Sequence, residues 1–278
     1  MEINIDNTKW YDRIWAALIF FTRLPFWRLH QPPQACYQTV VEHWPLAGWL
    51  TGAVMAATIV LASMVFPYYV AVLLAIVIRL LITGALHEDG LCDFLDGFGG
   101  GGNDRARILA IMKDSHIGTY GVLGITLYMA LLFACLFSLH RPSVLITADT
   151  SLPYFTALAV FAADAYSKML AAQIVMFLPY ARTEATAKNH TVYRKMSIPA
   201  GISLFIQGML PLAPLLYFGP AYAPLRWDLL IFVPCIVMYF LYYLMLRKLR
   251  GYTGDCCGAL CLLIELSFYL TLVAQLYR

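Results

Sequence analysis

The sequence predicts an all-α protein: a polytopic integral membrane helix bundle of about seven transmembrane helices with an N-terminal interfacial helix. Three observations predict it. Of 278 residues, 61% are hydrophobic and only 13% charged, against roughly 45–50% and about 25% in soluble domains. Apolar runs long enough to cross a hydrocarbon layer recur along the whole chain. The mean hydropathy is +0.71, so lipid rather than water is the solvent for most side chains. The same composition, with a net charge of +3 and no long basic block, excludes a disordered chain, a coiled coil, a disulfide scaffold and a nucleic-acid binder.

Residues 1–278 read as one integral membrane domain, with 1–42 as an N-terminal cytoplasmic and interfacial segment. Met1 to Asp12 is polar and leads to no small-residue cleavage site, so it does not read as a secretory signal. Ile14 to Leu24 is too short to cross and has Arg13, Arg23 and Arg28 around it, which suits a helix lying in the interface. Seven runs then qualify as spans: Trp44 to Phe66, Tyr69 to Leu86, Tyr120 to Leu139, Tyr154 to Leu178, Ile198 to Phe218, Leu229 to Leu246 and Cys257 to Leu276.

Cations between the spans set an orientation. Fourteen lysines and arginines fall before the first span or in the second, fourth and sixth connections, and three (Arg141, Arg226 and Arg278) fall on the opposite side. The positive-inside rule therefore puts the N-terminus and the even connections in the cytoplasm and the C-terminus outside. Cys36, Cys92, Cys135, Cys235, Cys256, Cys257 and Cys261 lie mostly in apolar stretches, where a thiol behaves as a small hydrophobe. Their spacing suggests neither a disulfide framework nor a thiolate metal site.

The connection 87–121 holds the chemistry. It opens Leu86-His87-Glu88-Asp89-Gly90-Leu91-Cys92-Asp93-Phe94-Leu95-Asp96-Gly97. On a helix, Asp89, Asp93 and Asp96 are spaced i, i+4, i+7 and share one face, where like charges repel unless a cation intervenes. Oxygen ligands beside small glycines suit a hard ion such as Mg2+ that keeps waters for a phosphate to displace. His87 suits a phosphate or a proton better than it suits magnesium. A merely solvated acidic face is the competing reading.

Gly97 and Gly99 to Gly102 follow at once, allowing backbone amides to approach an anion, or serving as a plain flexible linker. Asn103 to Lys113 has helical character and runs into Lys113-Asp114-Ser115-His116, a mixture of cation, carboxylate and hydroxyl that suits a diphosphate with its metal. A second candidate is Asp255 in Gly251-Tyr252-Thr253-Gly254-Asp255, where helix capping is the alternative. Glu265 lies inside the last span, either functional or paired with Lys168 or Arg79, and Asp164 and Lys168 are placed for a local ion pair. With Gly258 onward helical, Asp255 and Glu265 are about 15 Å apart at 1.5 Å per residue. A fold-back at Gly254 and Gly258 is then expected to bring Asp255 to the site.

Three runs taken together resemble the cobalamin synthase family, the adenosylcobinamide-GDP ribazoletransferases. They are His87-x-Asp89-Gly90-Leu91-x-Asp93-x-x-Asp96-Gly97, Met112-Lys113-Asp114-Ser115-x-x-Gly118-x-x-Gly121, and Thr253-Gly254-Asp255-x-x-Gly258-Ala259 with Glu265. Phe21-Thr22-Arg23-Leu24-Pro25, Pro45-Leu46-x-Gly48 and Pro179-Tyr180-Ala181-Arg182 extend the likeness from about residue 14 to 276. His116 and Lys168 depart from it, standing where arginine is usual, so a phosphate contact at either is weakened or reshaped.

The resemblance implies transfer of the cobinamide phosphoryl group from adenosylcobinamide-GDP to a ribose hydroxyl of α-ribazole, or of its 5′-phosphate, with release of GMP. It implies Mg2+ at Asp89, Asp93, Asp96 and Asp114. His87, Asp89, Asp93, Asp96 and Asp255 are its implied catalytic groups, and Arg23, Lys113, Ser115, His116, Lys168, Arg182 and Glu265 its substrate contacts. The setting is the cytoplasmic (inner) membrane, with the lipid bilayer as partner, no nucleic acid, and a homo-oligomer allowed. Two alternatives remain beside it. A CDP-alcohol phosphotransferase-like enzyme of phospholipid synthesis shares Asp-Gly-x-x-Asp spacing but carries a longer motif. A cation transporter needs its acids near mid-membrane on broken spans.

Overall fold

The computed structural model describes residues 8–140, 153–182 and 193–277. Helix α1 (Trp10–Phe21) precedes two short 3-10 segments, the second being Gln34–His43, which leads directly into α2 (Trp44–Ser63). Then follow α3 (Tyr68–Thr83), α4 (Leu86–Gly100), α5 (Arg105–Lys113), α6 (Thr119–Ser138), α7 (Tyr154–Ala172), α8 (Ile174–Phe177), α9 (Ile198–Met209), α10 (Leu212–Phe218), α11 (Trp227–Lys248) and α12 (Gly254–Leu276). Among the described residues the sole β-type pairing is an isolated parallel bridge between Tyr180 and Tyr252.

The protein is a multi-pass membrane helix bundle. Among the described residues, six continuous or gently broken helical stretches are long and apolar enough to cross a membrane, and α3 with α4 adds a seventh if the bent pair is one span. The apolar windows of α7 and α12 are 83% buried, whereas that of α11 is 22% buried, so the first two form the centre and α11 faces outward. Small residues permit close packing there, as is usual between membrane helices: a Cβ on Gly48 of α2 would lie 3.0 Å from the Ala165 backbone of α7.

Four elements differ from the sequence reading. The second span stops at Thr83, because Gly84 (φ +63°) and Ala85 (φ +54°) are both left-handed, and α4 leaves at 88° to α3. The fifth span divides where Leu210 and Pro211 separate α9 from α10, since proline cannot donate the next helical hydrogen bond. The N-terminal helix ends at Phe21, with Thr22 turning extended, rather than running to Leu24. Finally α12 starts at Gly254, so Asp255 lies inside its first turn and no break occurs at Gly258. The expected fold-back is replaced by a continuous helix. Of the residues used to assign sidedness, Arg141, Lys188 and Arg278 lie outside the described residues.

Cations of three connections nevertheless converge at one end of the bundle. Arg105 donates from Nε to the Leu249 carbonyl (2.7 Å) and from Nη2 to that of Ala181 (2.8 Å). Arg182 donates to Leu109 O at 2.9 Å, and Lys248 to Phe98 O at 3.1 Å. This lattice ties α5, the chain after α8 and the end of α11 around α4 and the start of α12.

Candidate active site

The elbow at Gly84–Ala85 lays α4 against the beginning of α12, and two glycines set how closely. A Cβ on Gly90 would lie 3.0 Å from the Asp255 carbonyl oxygen, and one on Gly258 3.0 Å from that of His87. The backbones therefore touch, and Asp89 and Asp255, one from each helix, line the same pocket.

That pocket has a volume of about 150 Å³. Asp89 and Gly254 are exposed at its rim, with Asp255 and Arg182 half-buried beside them. Its inner wall is aromatic. Phe21, Trp44 and His87 are buried and nearly parallel: Phe21 and Trp44 have ring centroids 5.1 Å apart, Trp44 and His87 5.7 Å, each pair at 12°. Phe20, Tyr180 and Tyr193, all half-buried, complete the lining. Burial first, then the neighbouring Asp255 carboxylate, push the Tyr180 hydroxyl above its ordinary pKa, keeping it a protonated donor.

The six acids from Glu88 to Asp114 separate into different duties. Asp104 caps α5, accepting from the amides of Ala106 and Arg107. Asp96 accepts from the Gly118 amide on one oxygen (2.6 Å) and from Gly121 on the other (2.9 Å), pinning the start of α6. Asp114 takes the His116 backbone amide (3.0 Å) and ring Nδ1 (2.6 Å), and this pairing holds its carboxyl below the ordinary range. Glu88 turns inward, 3.8 Å from Arg79 Nη2. Asp89 lines the pocket, and Asp93 lies half-buried one turn further along α4.

The remaining candidates are dispersed. Lys113 at the end of α5, and Ser115 and His116 between α5 and α6, are exposed and do not line the pocket. Arg23 lies at the elbow, its amide donating to Ile82 O at 2.6 Å and its side chain crossing Gly84. Lys168 is buried in α7 and paired with Asp164, which also accepts from Thr51 Oγ1 at 2.6 Å. Glu265 is buried in α12 and paired with Arg79. Neither Lys168 nor Glu265 reaches the pocket.

Besides the buried His87 imidazole and Cys257 thiol, the donors that reach it are oxygens, among them the Asp89 and Asp255 carboxylates at its rim and the Thr253 hydroxyl. That set fits Mg2+, which is commonly held by one or two carboxylates plus waters and substrate phosphate oxygens. Among the described residues no three His, Cys, Asp or Glu side chains converge to form a closed cage. Of the four aspartates expected to share a metal, Asp89 lines the pocket and Asp93 lies one turn along α4, whereas Asp96 and Asp114 accept hydrogen bonds from backbone amides.

Sequence reasoning missed the aromatic wall. Phe20 and Phe21 belong to a helix read as a membrane anchor, and Trp44 opens a span where an aromatic belt residue is ordinary. Only the resemblance motifs containing Phe21 and Tyr180 pointed to them.

A family model described as cobalamin-5-phosphate synthase, CobS, matches residues 13–273. A Leptospira interrogans protein named adenosylcobinamide-GDP ribazoletransferase is 31% identical over 94% of this chain and 94% of its own. Proteins of the same name from Vibrio parahaemolyticus and Ralstonia pickettii are 34% and 32% identical, covering 93% and 95% of this chain and 90% and 96% of theirs. No solved structure matches. Matched over nearly its whole length, pocket and both aspartate helices included, the chain belongs to the cobalamin-5-phosphate synthase family, CobS.

Proposed function

We propose that the protein is a membrane phosphoryl transferase that joins adenosylcobinamide-GDP to α-ribazole, or to α-ribazole 5′-phosphate, giving adenosylcobalamin or its 5′-phosphate and GMP. One observation carries the site assignment: Asp89 of α4 and Asp255 of α12 line one pocket with Arg182, at the point where glycines bring the two backbones into contact. Two carboxylates and a guanidinium can divide the work that phosphoryl transfer demands, namely taking a proton from a hydroxyl and holding a diphosphate in line.

In this reading an acceptor ribose hydroxyl attacks the cobinamide-linked phosphorus. A new P–O bond forms, the bridging P–O bond of the diphosphate breaks, and GMP leaves with the bonding electron pair. A rim carboxylate, Asp89 or Asp255, takes the hydroxyl proton. Arg182 meets the diphosphate charge, and His87 positions the acceptor hydroxyl. Asp89 and Asp255, with Asp93 nearby, would hold Mg2+, which when bound neutralises charge on the diphosphate. At about 150 Å³ the pocket is too small for the corrin ring, which stays outside it.

The orientation belongs to the same reading: pocket and N-terminus at the cytoplasmic face of the inner membrane, C-terminus outside, following the clustering of Arg105, Arg182 and Lys248 at the pocket end. The test is direct. Purified protein in detergent, given adenosylcobinamide-GDP, α-ribazole and Mg2+, is expected to release GMP in proportion to cobalamin formed. No GMP from folded protein would overturn the assignment, as would dependence on a CDP-alcohol instead.

A further inference from the structure

We infer that the buried aromatic end of this pocket is the seat of the acceptor's benzimidazole base, and that the Trp44 indole N–H is the group that recognises it. The inference rests on the reaction proposed above and goes beyond it by dividing the pocket between the two substrates. Two nitrogens on its inner wall, Trp44 Nε1 and His87 Nε2, are buried and have no hydrogen-bond partner. Both residues are almost wholly enclosed, at 2% and 4% exposure. Buried polar groups are nearly always satisfied, so two orphans in one pocket wall point to a ligand that supplies their partners.

The surroundings say which ligand. Phe21 and His87 both stack against Trp44 and lie 6.4 Å from one another, so the polar group Trp44 has to offer a ligand is its unpartnered N–H. The half-buried rings of Phe20, Tyr180 and Tyr193 are left to hold a flat group by face and edge contacts. A dimethylbenzimidazole riboside matches this arrangement: it is planar and mostly apolar, and its one unsubstituted ring nitrogen accepts a single hydrogen bond. Guanine matches it poorly. Its amide edge needs acceptors for two N–H groups, and the carboxylates of this pocket stand at the rim rather than at the aromatic end. Seating the base inward leaves the ribose directed toward Asp89 and Asp255, where a hydroxyl must arrive to react.

The experiment is a cycle between a side chain and an atom of the acceptor. Trp44→Phe keeps a ring but removes the N–H, and an α-ribazole analogue with the ring nitrogen replaced by CH removes its acceptor. Wild-type protein should show KM raised by about 5–10-fold for the analogue, the effect of one neutral hydrogen bond. Trp44→Phe should show the same rise for α-ribazole, no further rise with the analogue, and an unchanged KM for adenosylcobinamide-GDP. A rise confined to the GDP substrate would place guanine in the pocket and overturn the inference, as would equal KM values for the two acceptors in wild type. The wild-type measurement alone decides the matter if Trp44→Phe does not fold. Failure of the underlying reaction is distinguishable, because wild type would then release no GMP with either acceptor.

Discussion

Arg79 and Glu265 form a two-point ion pair inside the bundle, with Arg79 Nη1 2.7 Å from one carboxylate oxygen of Glu265 and 2.9 Å from the other. The pair sits within a larger network. Tyr269 donates to Glu265 at 2.7 Å, Arg79 donates from Nη2 to Tyr128 at 3.1 Å, and Glu88 approaches Nη2 at 3.8 Å. Three helices of the bundle (α3, α6 and α12) and the first turn of α4 thereby meet at one guanidinium. An ionisable residue inside a span suggests function by default, yet here the charge of Glu265 is answered within the protein.

The network gives the first prediction, an ordering. Arg79→Met leaves two buried carboxylates without their cation and should cost about 3–5 kcal/mol, the range for breaking a buried pair. Glu265→Gln should cost less, because the guanidinium keeps Glu88 as a counter-charge. Thermal unfolding in detergent checks it. Equal losses would mean that Glu88 contributes nothing.

How much of this was legible in the sequence depends on the kind of signal. Membrane crossing is a property of composition over some twenty residues, so the spans could be read directly, down to α2 beginning at Trp44 and α7 at Tyr154. The elbow could not be read at Ala85, since alanine is a helix former and its left-handed conformation is imposed by tertiary packing of α4 on α12. The acidic stripe was visible, but its division of labour was not. Asp89 and Asp96 look alike in sequence, and only the position of Gly118 and Gly121 separates a pocket carboxylate from one that anchors a helix. Pairing of Glu265 with Arg79 was one of two options the sequence allowed, because it shows charge inside a span without showing which helices adjoin.

That difference between Asp89 and Asp96 is testable. Asp96→Asn puts an amide NH2 against a backbone N–H and loses a charge-assisted hydrogen bond, so a loss of about 1.5–3 kcal/mol is expected. Asp89→Asn, at an exposed position, should leave the melting temperature nearly unchanged while GMP release falls about 100-fold or more. If both variants behaved alike in melting, the anchoring role of Asp96 would be lost.

Helix contact at the glycines predicts a geometric effect. Gly258→Ala places a methyl 3.0 Å from the His87 carbonyl oxygen and 3.2 Å from its Cα, both backbone atoms that cannot swing aside. The helices α4 and α12 must separate, at a cost of about 1–3 kcal/mol for overpacking. Turnover should fall more steeply than stability, because the same shift draws Asp89 away from Asp255. Gly201→Ala, where a Cβ meets nothing within 4 Å, serves as the control and should leave kcat unaltered.

Sidedness can be tested at two exposed positions on opposite sides of the expected topology. A cysteine at Asn103, between α4 and α5, should be protected in intact cells from a membrane-impermeant thiol reagent, and one at Arg226, just before α11, should react. The native cysteines are buried or half-buried, which keeps the background low. The reverse pattern would invert the bundle and put the pocket outside.

The last prediction separates two roles for Asp255. A carboxylate in the first turn of a helix is stabilised by the backbone dipole, an effect of about 0.3–1 kcal/mol, and that alone would account for an aspartate here. The capping duty, however, belongs to Thr253, whose hydroxyl accepts from the Cys256 amide at 3.3 Å. Asp255 is one position inside the helix, half-buried, and lines the pocket opposite Asp89. Asp255→Asn should therefore lower stability by no more than about 1 kcal/mol while abolishing turnover, with GDP-substrate binding partly retained. Thr253→Val should do the opposite, losing about 1 kcal/mol or more of helix capping with turnover reduced only modestly. Near-normal GMP release by Asp255→Asn would confine its carboxylate to the dipole and remove it from the chemistry.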